Sequence, residues 1–161
     1  MKLILLAQIL LIFGCHAPLA HSDASILNST HRWYANNQEE IHLQIKEKIN
    51  VDETAPIINS LGLMIELNDG AILAEISETI AVVLVEKPAL MLSWFDNHPK
   101  SLEVWASFVE SGFLSAETAN KAVKLKKLRQ DTIISLQNVD ASLTSARLLK
   151  AFENSDVRLI D

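Results

Sequence analysis

The stretch Ile80-Ala81-Val82-Val83-Leu84-Val85 decides how this chain folds. An unbroken apolar run with this many β-branched residues suits a strand buried on both faces as well as it suits a buried helix. No convincing partner strand occurs elsewhere in the chain, and a strand without a partner leaves its backbone N–H and C=O groups unsatisfied. Just upstream, Ile72, Leu73 and Ile76 fall on the same helical face as Ile80, Val83 and Leu84, while Glu75, Glu78 and Glu86 point elsewhere. The pattern therefore predicts a buried central helix opened by the break at Asn68-Asp69-Gly70 and running to Glu86.

Working outward from it, start and stop signals recur at helical intervals. On the N-terminal side, a helix is expected from about Thr30 to Ile49, with Ile41, Ile45 and Ile49 stacked four apart. Asp52 or Thr54 can cap the next, placing Pro56 in its first turn and Ile57, Ile58, Leu61 and Ile65 inward. On the C-terminal side, Pro88 starts a short helix through Phe95 that carries Leu90, Met91, Trp94 and Phe95. Asp96-Asn97-His98-Pro99 is a tight connection into a helix with Leu102, Trp105, Phe108 and Val109, which a left-handed Gly112 would end. Ser115 is expected to cap a long helix to Gln137, and Asp140 a last one with Leu143, Leu149 and Phe152. The fold expected is an all-α compact bundle of about six to seven helices joined by short connections, with a short irregular helical solenoid as the alternative. Only 4 glycines in 161 residues agree with this, since folds with many tight turns and phosphate-binding loops need more.

The first residues read differently. Lys2 precedes eleven mostly aliphatic residues, Leu3 to Phe13, and a polar segment with Pro18 follows. That layout is an export signal, and it is shorter than the roughly 20 residues of a membrane-spanning helix. Two cuts are open. Ile12-Phe13-Gly14-Cys15 resembles a bacterial lipobox, which would put a lipid on Cys15 and anchor the protein to a membrane. Ala20-His21-Ser22 offers the small residues that ordinary signal peptidase inspects. Residues 1–22 are accordingly read as the signal and 23–161 as a single helical domain, located in the periplasm, on the outer membrane through a lipid, or secreted. Either cut leaves the mature fold without a disulfide, so its hydrophobic core must hold it together; the 49% apolar composition allows this.

Charge divides unevenly. Residues 21–99 carry 4 Lys+Arg against 12 Asp+Glu, a net of −8, whereas residues 100–161 carry 9 against 8, a net of +1. An acidic protein repels phosphate backbones, so nucleic acid is not an expected partner; the N-terminal half suits a basic protein.

Chemical signatures are sparse. Glu39-Glu40-Ile41-His42 contains Glu-x-x-His, but a di-iron bundle needs two such motifs plus two further glutamates, and here there is one. His31 and His42 fall on one stripe with Ala35 and Gln38, about 16 Å apart along a helix, too far to share a metal. His98 could be polarised by Asp96 as a general base, against the simpler role of a turn residue. Gly-x-Ser-x-Gly, Ser-x-x-Lys and His-Glu-x-x-His are absent from the sequence. No catalytic residue, metal or cofactor is assigned.

Lys121-Ala122-Val123-Lys124-Leu125-Lys126-Lys127-Leu128-Arg129 resembles a membrane-surface helix, except that Arg129 falls on the apolar stripe with Leu125 and Ile133. Trp94 and Trp105 flank the tight turn and are expected in the core. Trp33 and Tyr34 sit in a polar context and, if exposed, are natural interface anchors. Asn28-Ser29-Thr30 is a glycosylation sequon, meaningful only in a eukaryotic secretory host. The reading is a non-catalytic exported protein-interaction module of the cell envelope, such as an inhibitor, immunity or assembly factor, with contacts at Trp33, Tyr34, Glu39 and Glu40. The alternatives are a small hydrolase of envelope polymers, using acids of residues 66–78 or Asp96 with His98, and a membrane-surface lipoprotein.

Overall fold

In the computed structural model, the run 80–85 lies inside a helix, α3 (Gly70–Glu86), and Ile80, Ala81, Val83 and Leu84 are fully buried. The structure describes residues 19–47, 51–66 and 70–160. The expectations for the apolar leader, Cys15, Ile49 and the Asn68-Asp69 break lie outside these residues.

Seven α-helices occur among the described residues: α1 (Leu19–Lys46), α2 (Val51–Glu66), α3, α4 (Pro88–Asn97), α5 (Pro99–Phe108), α6 (Ala119–Gln137) and α7 (Leu143–Glu153). Helix α3 packs against α1, α2, α4 and α6, and α7 closes on α4, α5 and α6. A solenoid would stack each helix only on its neighbours in sequence. The contacts of α3 with α6 and of α4 with α7 instead make a bundle around α3.

Several helix ends differ from expectation. Helix α1 starts at Leu19 rather than near Thr30. Helix α2 starts at Val51, so Pro56 sits in its second turn, where its missing N–H removes one ladder bond. Gly112 does not end α5 in a left-handed turn. The chain instead widens into a π-turn over Val109–Phe113, and Gly112 lies within it, without a positive φ. Ser115 is not a cap: it pairs in a two-residue parallel bridge, Ser115–Ala116 (β1) with Arg158–Leu159 (β2), through Arg158 N–H to Leu114 O at 2.8 Å and Ile160 N–H to Ala116 O at 2.9 Å. Thr118 caps α6, its side chain accepting from the Lys121 N–H. Ser142, not Asp140, caps α7, in a reciprocal box with Ser145. With that start, Leu143 faces solvent, 93% exposed, and Leu148 takes the core position.

The core is aromatic at one end. Trp105 stacks on Phe95 at 5.7 Å and meets Phe152 at 5.8 Å, and its indole N–H donates to Ser77 Oγ at 3.1 Å. Helix termini are satisfied from a distance. Pro88 cannot supply the N–H that the Leu84 carbonyl would take four residues on, and Ser135 Oγ of α6 donates to that carbonyl at 2.7 Å. Arg129 does the same for α7, with Nε donating to Phe152 O at 2.9 Å and Ser155 O at 2.7 Å and a terminal nitrogen to Glu153 O at 3.2 Å. That explains its place on the apolar stripe of α6: it caps the neighbouring helix rather than covering the core.

Candidate functional site

Helix α1 has two unlike faces. Inward, Tyr34, Ile41 and Ile45 recur at i, i+7 and i+11 and are buried. Along the flank of that stripe, polar side chains reach α3. His31 Nε2 meets Glu75 Oε2 at 2.6 Å. Tyr34 Oη lies 2.7 Å from Thr79 Oγ1 and 3.2 Å from the Glu75 carbonyl, and Gln38 Nε2 donates to it at 3.2 Å. His42 Nε2 closes the series on the other side of Thr79 Oγ1, at 2.6 Å. The stripe of His31, Gln38 and His42 is therefore a hydrogen-bonded seam between α1 and α3, and each histidine has its own partner there. Ala35, assigned to the same stripe, is exposed.

Burial sets the electrostatics of the seam. It pushes the Tyr34 phenol above its ordinary range, against the hydrogen bonds of Thr79 and Gln38, with Glu75 and Glu78 adding to the rise. Burial lowers His42, and Glu78 opposes this while Lys46 assists it. Both groups are thus held neutral near pH 7, which suits hydroxyl-to-imidazole hydrogen bonding.

Outward, α1 presents Ile26 (47% exposed), Trp33 (40%) and Leu43 (56%). At 100° per residue the three fall within about one third of the helix circumference, centred about 120° round from the buried stripe. Glu39 and Glu40 are exposed on the same side, Glu40 accepting from Gln44 Nε2 at 2.9 Å. Arg32, with Ser25, Asn28 and Ser29, lines a shallow hollow of about 420 Å³ at the N-terminal end. Of the four contact residues expected, Trp33 and Glu40 share this face, and Glu39 is exposed at its edge next to Leu43. Tyr34 does not: at 1% exposure it is a core residue, because it stands seven residues before Ile41 on the inward stripe. Ile26 and Leu43 were missed by sequence reasoning, although their helical register with Trp33 is legible once the inward stripe is fixed.

The other chemical expectations separate in space. His98 is a turn residue as expected, flanking α4 and α5. Asp96 does not polarise it; the Asp96 carboxylate accepts from Thr144 Oγ1 of α7 at 2.5 Å. The His98 ring instead stacks on Trp94 at 4.0 Å, its Nδ1 donates to the Trp94 carbonyl at 2.7 Å, and Nε2 faces Glu66 at 3.7 Å. A carbonyl only accepts, so Nδ1 carries the proton. This arrangement caps α4 and fastens it to α2. Trp94, expected in the core, is partly buried, its indole lying over Gly62 of α2.

Among the described residues no group of three or more His, Cys, Asp and Glu is placed to hold a metal ion, and no helix is long and apolar enough to cross a membrane. Compared with known proteins, the chain matches no protein-family model, no curated protein and no solved structure.

Proposed function

We propose that this chain is a non-catalytic protein-interaction module of the cell envelope that holds a basic partner protein on the outward face of α1. The observation that carries the reading is the exposure of Trp33 between Ile26 and Leu43, with Glu39 and Glu40 beside it. A large aromatic flanked by apolar side chains and rimmed by charge is the composition of an interface anchor. The net of −8 over residues 21–99 favours a basic partner by steering its approach. The leader of residues 1–22 supports an envelope address, through cleavage near Ala20-His21-Ser22 or through a lipid on Cys15. Inhibition of, or immunity to, a basic envelope-directed enzyme is the form of binding that suits an exported acidic protein; assembly of an envelope complex is the other.

A photo-cross-linking residue placed at position 33, in cells of the native host, tests the reading. A discrete adduct is expected there, lost when Glu39 and Glu40 are both replaced by Lys. No adduct at position 33, or one indifferent to that charge reversal, would contradict it.

A further inference from the structure

Helix α6 carries a second surface, unrelated to α1. Once Arg129 is committed to the carbonyls ending α7, the cations left on α6 are Lys121, Lys124, Lys126 and Lys127, and all four are exposed. Val123, Lys127, Gln130 and Ile134 follow one another at i, i+4, i+7 and i+11 and form a single outward ridge, with Lys124 and Lys126 on its flanks. Val123 is 68% exposed and Ile134 46%, so aliphatic and cationic groups share the ridge. Asp131 is the single acid in the α6 sequence, and it pairs with Lys127 at 2.6 Å, which leaves the face positive. Beside α6, the pairing of β2 with β1 holds Leu159 and Ile160, both exposed.

We propose that this face adsorbs to the surface of anionic phospholipid bilayers. Lysines on and beside a ridge that carries Val123 and Ile134 match a plane of phosphate headgroups over acyl chains: the ammonium groups reach the phosphates while Val123 and Ile134 meet the apolar boundary. Charge complementarity selects the lipid surface, and the ridge explains what a purely ionic partner would leave uncovered. A nucleic-acid chain is disfavoured by the net of −8 over residues 21–99, whereas a bilayer engages the α6 face alone.

The test is vesicle co-sedimentation of the full chain carrying Cys15→Ser, which removes any acyl anchor. Vesicles of phosphatidylglycerol with phosphatidylcholine are compared with pure phosphatidylcholine at low and high salt. Binding is expected only with the anionic lipid and at low salt. The combined variant Lys124→Gln and Lys126→Gln, the two lysines flanking the ridge, should weaken it on the order of 25-fold, since each lysine near an anionic surface contributes about a fivefold factor. The single variant Val123→Ser, at a site too exposed to disturb folding, should weaken it severalfold. Equal binding to both lipids, or binding that survives lysine neutralisation, would overturn the proposal.

Discussion

Helix α1 and the block formed by α4, α5 and α7 are fastened to the same central helix by different means. The block is knit together by rings: Trp105, Phe95, Phe152 and, from the π-turn, Phe113 pack on one another, and the Trp105 indole ties them to α3 by a hydrogen bond to Ser77. Helix α1 instead meets α3 through His31–Glu75 and the Tyr34–Thr79–His42 series, with Ile41 and Ile45 as its aliphatic contribution. Apolar burial is non-directional and independent of pH; a seam of imidazole and hydroxyl groups is directional and titrates. The difference makes the block a framework and α1 a layer laid upon it, the layer that carries the exposed Trp33.

Three substitutions separate these regions, and the largest effect belongs to the framework. Trp105→Ala removes the ring that touches three others and leaves Ser77 without its indole donor. It should cost about 3–5 kcal/mol in urea unfolding. Gly62→Ala comes next. A Cβ there would lie 2.0 Å from Trp94 Cζ2, so the indole and the His98 ring stacked on it must move. A loss of about 1–3 kcal/mol is expected. Restoration by Trp94→Leu in the same chain would confirm the close approach, and an additive double variant would refute it. At the seam, Tyr34→Phe keeps the ring buried and removes one hydroxyl. It should cost about 1 kcal/mol, leaving Thr79 bonded to His42. A loss as large as that of Trp105→Ala would erase the distinction between layer and framework.

Much of the framework was legible in the chain, and the reasons are local. The run 80–85 reads as a helix because its upstream neighbours keep helical register and no strand could pair with it. Pro88 and Pro99 mark helix starts because a missing N–H breaks no ladder bond in the first turn. What was not legible depends on partners distant in sequence. Ser135 answers the carbonyl that Pro88 leaves open, 51 residues away, and Arg129 caps a helix more than 20 residues downstream. Neither distance can be read from spacing. The short bridge that displaced Ser115 from its expected role likewise needs Arg158, far along the chain.

Within the candidate site, Trp33 and Tyr34 are adjacent and so point about 100° apart on a helix, and one of the two had to face inward. Register with Ile41 and Ile45 identifies it as Tyr34. That signal was present in the sequence, but stacking Ile41, Ile45 and Ile49 alone did not extend the stripe backward. Leu143 shows the converse: an apolar residue placed inward by composition is turned to solvent when the helix starts at Ser142.

Helix α1 is held by a seam whose integrity depends on a neutral His42. Burial lowers the folded pKa of this histidine below its ordinary 6.5. As pH falls below 6.5 the unfolded chain takes up a proton that the folded chain resists. The stability His42 contributes is therefore intact above about pH 6.5 and lost as pH falls through the lowered folded value. Backbone hydrogen exchange at neutral and mildly acidic pH, corrected for intrinsic rates, reads this helix by helix. The account predicts that amides of residues 31–46 lose protection on acidification while those of α3 keep theirs, and that His42→Gln removes the difference. Equal protection of α1 and α3 at both pH values would contradict it.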